Sequence, residues 1–290
     1  MSMVEKRQFA SNPSLQGLAD YSPNLPYMEY DGRSYTLDLL SPWKAQADPA
    51  SLFPLIVYVQ GCGWTTPQRL FQVPQLSLLA QKGYVVATVG HRSCLDGYQA
   101  PAFLEDVKTA IRFLRANAKK YHIDPERVGI WGTSSGGNAA LLVGTTAGDP
   151  RFRTEAYSEQ SDAVKLVVDC FGPTDPKAML EEKNERLSDG EKAVFAKLIG
   201  SLMDRPARER LSLISPIQYV TPGKHLPPFL IIHGTSDTTV PYSQSLEMAE
   251  RLTTCGYEVE LCSIQDASHE GSVWSRELLE YVHQWIAERI

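Results

Sequence analysis

The sequence predicts an α/β fold built on a mostly parallel eight-stranded sheet, flanked by helices and carrying a small helical cap-like insertion. Three observations lead there. Short β-prone apolar runs alternate with stretches of helical period from Tyr27 to the carboxyl end, the alternation that produces strands joined by crossovers. The strand-like run Val128 to Trp131 passes directly into Gly132-Thr133-Ser134-Ser135-Gly136 and then into a small-residue apolar segment from Asn138. The 290 residues contain no linker-like break in composition, so the expectation is one catalytic domain over residues 1–290.

The elements follow in order. Tyr27 to Leu40 reads as a hairpin around Asp31-Gly32. Strands are expected near 55–59, 84–89, 128–131, 164–170, 229–233 and 258–264, which with the hairpin makes eight. Phe103, Val107, Ala110, Ile111, Leu114 and Ala118 mark one face of a helix behind Pro101. Trp274, Leu278, Tyr281, Val282 and Trp285 mark one face of the last helix. Between them, residues 177–213 form a charged, helix-prone insertion ending at Ser215-Pro216, and its run from Glu181 to Arg186 reads as a solvated helix face.

Composition removes several classes. A net charge of −6, with no basic cluster interleaved with aromatics, argues against a nucleic-acid partner. The first twenty residues carry Glu5, Lys6 and Arg7 and no continuous apolar stretch, so neither a secretory segment nor a membrane span is expected, and cytoplasmic residence follows as the default. Five irregularly spaced cysteines form no disulfide framework; Cys62 and Cys94, both in loops after strands, are the one conceivable bridge. No H-E-x-x-H or comparable ligand spacing is present, so no metal and no cofactor are expected.

The pentapeptide at Gly132 carries the chemistry. G-x-S-x-G arises by chance in roughly one chain in ten of this length, so its setting matters more than its letters. A serine at the tip of a strand-to-helix turn sits in a strained backbone conformation, and side chains two positions away would collide; hence Gly132 and Gly136. The helix that follows aims free N–H groups at the site, which makes the Ser135 N–H an oxyanion donor.

A serine nucleophile needs a base and a carboxylate to orient it. Of six histidines, His269 stands in a short polar loop, Asp266 to Gly271, between the last strand and the last helix. Loops at the carboxyl ends of parallel strands are where such sheets place their chemistry. His233 closes the run Phe229 to Ile232 and reads as a satisfied strand-end residue; His122 and His283 read as structural. For the acid, Asp237 just beyond the preceding strand is favoured. Asp175, which could equally cap a helix near Lys177, is the main rival, ahead of Asp266 and Asp169.

A second set of oxyanion donors is expected after strand 55–59, where Gln60-Gly61-Cys62-Gly63-Trp64 follows at once; Gly61 and Cys62 are the candidates, and the Gln60 amide could pin the loop. Trp64, Tyr98 and Phe171 are the candidate substrate-binding residues, with ordinary packing as the equal alternative.

These stretches resemble α/β-hydrolases of the branch that holds hormone-sensitive-lipase-like esterases and, more closely, the bifunctional feruloyl and acetyl-xylan esterase-like group. The resemblance rests on Gln60 to Trp64, Asp106 to Leu114, Ile123 to Val128, the Ser134 turn with Gly137, Phe171 to Asp175, and the Asp237 and His269 loops, spanning about residues 30–290. The chain departs from the family at Gln60, Cys62, Ser135 and His91-Arg92. The resemblance implies a serine esterase with a Ser134-His269-Asp237 triad and an acyl-enzyme intermediate, acting on feruloyl or acetyl esters of plant carbohydrate. Its partner would be a small ester or esterified oligosaccharide. A general short-chain carboxylesterase is the alternative, followed by an amidase or peptidase on the same fold.

Overall fold

The computed structural model describes residues 5–47, 50–183, 187–200 and 205–290. Its strands are β1 (Ala19–Tyr30), β2 (Arg33–Pro42), β3 (Phe53–Val59), β4 (Val85–Val89), β5 (Ile123–Thr133), β6 (Val167–Cys170), β7 (Phe229–Gly234) and β8 (Val259–Ile264). They form one sheet in the order β1-β2-β4-β3-β5-β6-β7-β8. Strands β3 to β8 run parallel, while β2 pairs antiparallel with both β1 and β4.

The hairpin is longer than the sequence suggests. Pairing begins at Ala19↔Pro42, because two register shifts, between Ser22 and Leu25 and between Pro26 and Met28, absorb a stretch that lies ahead of the expected hairpin. Proline is tolerated there because β1 is an edge strand interrupted by bulges. Strand β5 likewise starts at Ile123, paired with Phe53 ahead of an irregularity, and β6 is confined to four residues.

The helices are α1 (Lys44–Ala47), α2 (Val73–Gln81), α3 (Ala102–Ala116), α4 (Ser135–Thr145), α5 (Pro176–Lys183), α6 (Asp189–Ile199), α7 (Arg205–Leu213), α8 (Tyr242–Thr254) and α9 (Arg276–Ala287). Side-chain alternation along the strands divides the core in two. Leu55, Val57 and Val59 pack with α3, α4 and α8 on one face; Ile56 and Tyr58 pack with α2 and α9 on the other. The buried stripe of α9 is Leu278, Val282, Trp285 and Ile286, each contributing roughly 1.5–3 kcal/mol of burial. Tyr281, expected on that stripe, instead remains 38% exposed, and Ile286 lies one turn further along the buried side.

Connectivity fixes where a site can form. Helix α2 carries the chain from β3 outward to β4, and α3 carries it back past β3 to β5. The connection after β3 runs one way along the sheet, through α2 to β4, and the connection after β5 runs the other way, through α4 to β6, which opens a crevice beyond the carboxyl ends of β3 and β5. Buried ion pairs hold this frame: Arg92 Nε donates to Asp106 Oδ1 at 2.8 Å, and Lys108 Nζ to Asp162 Oδ2 at 2.8 Å.

The insertion between β6 and β7 consists of α5, α6 and α7. Helix α6 begins with a capping box in which Ser188 Oγ accepts from the Glu191 N–H and the Glu191 side chain accepts from the Ser188 N–H. It is tied to the loop after β4 by the Ala100 N–H on the Leu198 carbonyl at 2.8 Å. Glu181 is exposed, as expected of a solvated face, whereas residues 184–186 of that run lie outside the described residues.

Candidate active site

The turn from β5 into α4 places Ser134 at φ 51°, ψ −125°. That strained backbone is enforced by close packing: a Cβ on Gly132 would strike the Gly136 carbonyl, and one on Gly136 would strike the Val59 carbonyl. The Ser134 N–H donates to the Cys170 carbonyl at 2.8 Å, anchoring the turn to β6.

Three residues from three strand ends converge. Ser134 Oγ lies 3.0 Å from His269 Nε2, and His269 Nδ1 lies 2.6 Å from Asp237 Oδ2. The second oxygen, Asp237 Oδ1, accepts from the backbone N–H groups of Thr239 at 2.7 Å and Val240 at 3.0 Å. Burial alone would raise the Asp237 pKa, but hydrogen bonds from His233 and His269 outweigh it and hold the carboxyl well below the usual carboxylate range. Behind the imidazole, the Phe171 ring packs edge-on with centroids 4.7 Å apart.

The rival acids have other partners. Asp175 Oδ1 accepts from the N–H groups of Lys177 and Ala178, each at 3.2 Å, and from Ser215 Oγ, so it caps α5 and binds the far end of the insertion. Asp169 is buried beneath the Ser134 turn, where its Oδ1 accepts only the Gly172 N–H, and burial pushes its pKa up to about 8. Asp266 accepts from the neighbouring Gln265 amide at 2.8 Å.

The oxyanion loop requires corrections. The Gly61 N–H donates to Thr133 Oγ1 at 2.9 Å, so it serves to hold the loop against β5 and is not directed at substrate. The Cys62 N–H donates to Ser135 Oγ at 2.9 Å, an interaction that alanine at position 135 could not make. Gly63, at φ 60°, reaches the cavity beside Ser134 together with Trp64. The Ser135 N–H opens α4, where the helix itself supplies no acceptor. Gln60 Oε1 is buried without a partner among the described residues, so the amide does not pin the loop through that oxygen. All five cysteines are free thiols, which removes the Cys62–Cys94 bridge. Burial pushes the Cys62 thiol up to about 11.

A cavity of about 380 Å³ opens onto Ser134 and Ser135. Gly63, Trp64, Pro173, Thr239 and Val240 line it from the sheet side, and Met179, Leu187, Gly190, Glu191, Val194 and Phe195 from the insertion. Trp64 thus lines the cavity as expected, with its ring 5.6 Å from that of Phe195. Tyr98 and Phe171 do not. Tyr98 donates to Asp31 Oδ2 and packs edge-on against Tyr30, bracing the hairpin; Phe171 is fully buried against His269 and does not line this cavity.

The cap-like insertion expected over residues 177–213 does wall the cavity, but the sequence does not single out its lining residues, because spacing within α5 and α6 shows an apolar face without showing what it faces. It also passed over Asn138, whose Nδ2 donates to the carbonyls of Pro173 at 2.8 Å and Ile214 at 2.9 Å and so ties both ends of the insertion to α4. An asparagine at the head of an apolar small-residue run, four residues after the serine, is the available signal. Among the described residues no group of three or more His, Cys, Asp or Glu could hold a metal ion, and no helix is long and apolar enough to cross a membrane.

Comparison with known proteins agrees with this architecture. The BD-FAE family profile matches residues 37–252. The chain belongs to the BD-FAE family. The resemblance drawn from its motifs therefore stands, as does the α/β-hydrolase fold. Esterase LipC of Mycobacterium tuberculosis is 33% identical over 215 residues, 74% of this chain and 52% of LipC. The chain thus spans about half the length of this relative, and 51% of a second mycobacterial relative, the probable carboxylic ester hydrolase LipM. Among solved structures, a truncated carbohydrate esterase from gut microbiota superimposes with a TM-score of 0.78 at 28% identity, covering 96% of this chain and 98% of that one. A bifunctional GH43-CE protein of Bacteroides eggerthii gives a TM-score of 0.73 at 33% identity over 87% of this BD-FAE chain and 33% of its own.

Proposed function

We propose that this BD-FAE protein is a serine carboxylic-ester hydrolase in which Ser134 is the nucleophile, His269 the general base and acid, and Asp237 the carboxylate that orients it. The observation that carries the reading is the continuous relay from Ser134 Oγ through both ring nitrogens of His269 to Asp237 Oδ2, at 3.0 and 2.6 Å. In this reading His269 takes the Ser134 proton as Oγ attacks the ester carbonyl. The imidazolium then protonates the leaving alcohol, and water, activated by the same ring, releases the acid. The oxyanion is held by the N–H groups of Ser135 and Gly63, with the Cys62 N–H joining them when the Ser135 hydroxyl turns away.

The substrate we infer is an ester whose acyl group is apolar and larger than acetate, a hydroxycinnamoyl ester such as a feruloyl group on a plant oligosaccharide. Support comes from the cavity: about 380 Å³ walled by Trp64, Met179, Leu187, Val194, Phe195 and Val240 is within the size of small-molecule sites and exceeds the needs of an acetyl group. The carbohydrate side rests on the relatives described as carbohydrate esterases. The same apolar walls also favour a second reading, a general carboxylesterase for medium acyl chains.

The test is initial rates of wild type and Ser134→Ala on p-nitrophenyl esters of increasing chain length, methyl ferulate, acetylated xylo-oligosaccharide and an aryl formamide. The expected result is a loss of several orders of magnitude in Ser134→Ala and a wild-type preference for ferulate over acetyl esters. Near-wild-type rates in Ser134→Ala would sink the esterase mechanism. Equal rates on ferulate and simple alkyl esters would leave the general carboxylesterase.

A further inference from the structure

Asp237 Oδ2 serves two histidines. His269 Nδ1 approaches it at 2.6 Å from the loop after β8, and His233 Nε2 approaches the same oxygen at 3.1 Å from the end of β7. His233 is fully buried and sits four residues before Asp237, on the strand that launches the Asp237 loop. Its Nε2 also lies 3.0 Å from the Val240 carbonyl, and its Nδ1 lies 2.7 Å from Ser245 Oγ on α8.

Both partners of Nε2 are acceptors, so that nitrogen carries a hydrogen. Ser245, itself buried, is then left to fill Nδ1. We propose that His233 is a positioning residue of the Ser134 machinery: by donating from Nε2 to Asp237 Oδ2 it fixes the carboxylate oxygen presented to His269 and moderates that oxygen's basicity. This rests on the triad reading given above and adds a fourth member to it.

The argument follows from the oxygen's surroundings. With Oδ1 committed to the Thr239 and Val240 N–H groups, the orientation of Oδ2 depends on what else it meets. A single donor, His269, moves during the reaction, since its ring must serve first the serine and then the leaving group. His233 is held by the strand, by Ser245 and by the rings of Phe171 and Tyr242, 6.3 and 5.7 Å away, and supplies a donor that does not move. The other acids nearby face elsewhere: Glu270 accepts from Gln72 Nε2 at 3.1 Å and Trp274 Nε1 at 3.0 Å, and Asp169 accepts from Gly172. A carboxylate relieved of one charge-assisted donor is a stronger base and binds the proton of the neighbouring imidazolium more firmly.

The experiment compares wild type, His233→Phe, His233→Gln and Ser134→Ala in kcat and kcat/KM on p-nitrophenyl butyrate from pH 5 to 9. Phenylalanine keeps a flat ring between Phe171 and Tyr242 but removes the donor; glutamine returns an N–H at similar reach. His233→Phe is expected to lower kcat roughly tenfold with KM little changed, the effect of one hydrogen bond to a charged group. The acid limb of kcat/KM is expected to move up by about half a pH unit. His233→Gln is expected to restore the limb and most of the rate. An unmoved acid limb in both variants, or equal losses in both, would overturn the proposal and leave His233 a packing residue. Should His233→Phe not fold, ¹⁵N-edited spectra of wild type decide instead: a hydrogen on His233 Nε2 supports the assignment and its absence overturns it. Full activity in Ser134→Ala would defeat the triad itself, whereas a dead Ser134→Ala beside an unmoved His233 limb would defeat only this inference.

Discussion

Two buried carboxylates on neighbouring strands, Asp169 on β6 and Asp237 just past β7, have opposite electrostatic fates. Asp237 collects two backbone N–H groups and two histidine nitrogens and is held below the ordinary carboxylate range. Among the described residues Asp169 collects the Gly172 N–H alone and leaves Oδ2 without a partner, and burial pushes it up to about 8. Burial is the largest influence on both, so the number of donors decides which is charged near neutral pH. One strand position thus separates a group suited to steadying an imidazolium from a neutral acid that packs beneath the Ser134 turn.

The contrast can be broken most directly at Asp237. Asp237→Asn is expected to reduce kcat about 10⁴-fold, as loss of a triad carboxylate does elsewhere, while Asp169→Asn changes kcat by no more than about threefold. Comparable losses in the two, measured side by side on one ester, would end the distinction. Phe171→Leu sharpens it, because Phe171 follows Asp169 by two residues yet touches His269; loosening the ring's backing is expected to cost about tenfold in kcat with the fold intact.

A third effect is on stability. The Asp169 carboxyl keeps its proton in the folded protein up to about pH 8, whereas in the unfolded chain it ionises near the usual carboxylate value. Its contribution is therefore fully present below about pH 4 and is lost as pH rises toward 8. Asp169→Asn removes that loss, so at pH 9 its Tm should exceed wild type by roughly 5 °C, with little difference at pH 4 and a gap that widens steadily between. A parallel pH dependence in the two proteins, read by calorimetry, would show Asp169 to be ionised. The smallest effect belongs to Asp175: Asp175→Asn keeps a capping oxygen but removes the negative charge at the start of α5, and is expected to cost about 0.3–1 kcal/mol and to leave kcat within about twofold. A large loss of kcat there would return Asp175 to the list of catalytic acids.

Much of this was legible in the chain. Runs such as Leu55 to Val59 and Phe229 to His233 announce strands because both of their faces are buried, and Ser134, Asp237 and His269 lie in loops that follow such runs. What the sequence hid depended on contacts across long separations. Gly61 looks like an oxyanion donor until Thr133 is seen to take its N–H from 72 residues away, and Phe171 looks like a cavity residue until its ring is found behind His269. Tyr21 to Pro26 falls outside the expected hairpin because its prolines mask a pairing that only the β2 partner reveals. His233 was legible as a satisfied histidine, but the atom that satisfies it was not.

The cavity beside Ser134 owes much of its wall to α5 and α6, which lie on a stretch of chain that leaves the sheet after β6 and returns before β7, whereas Ser134, Asp237 and His269 are fixed by strands β5, β7 and β8. On the proposed function, appetite and chemistry are therefore written on different segments of the polypeptide. Exchanging residues 176–213 for those of a relative, while keeping Asn138 to fasten both ends, amounts to changing the mould without retooling the press.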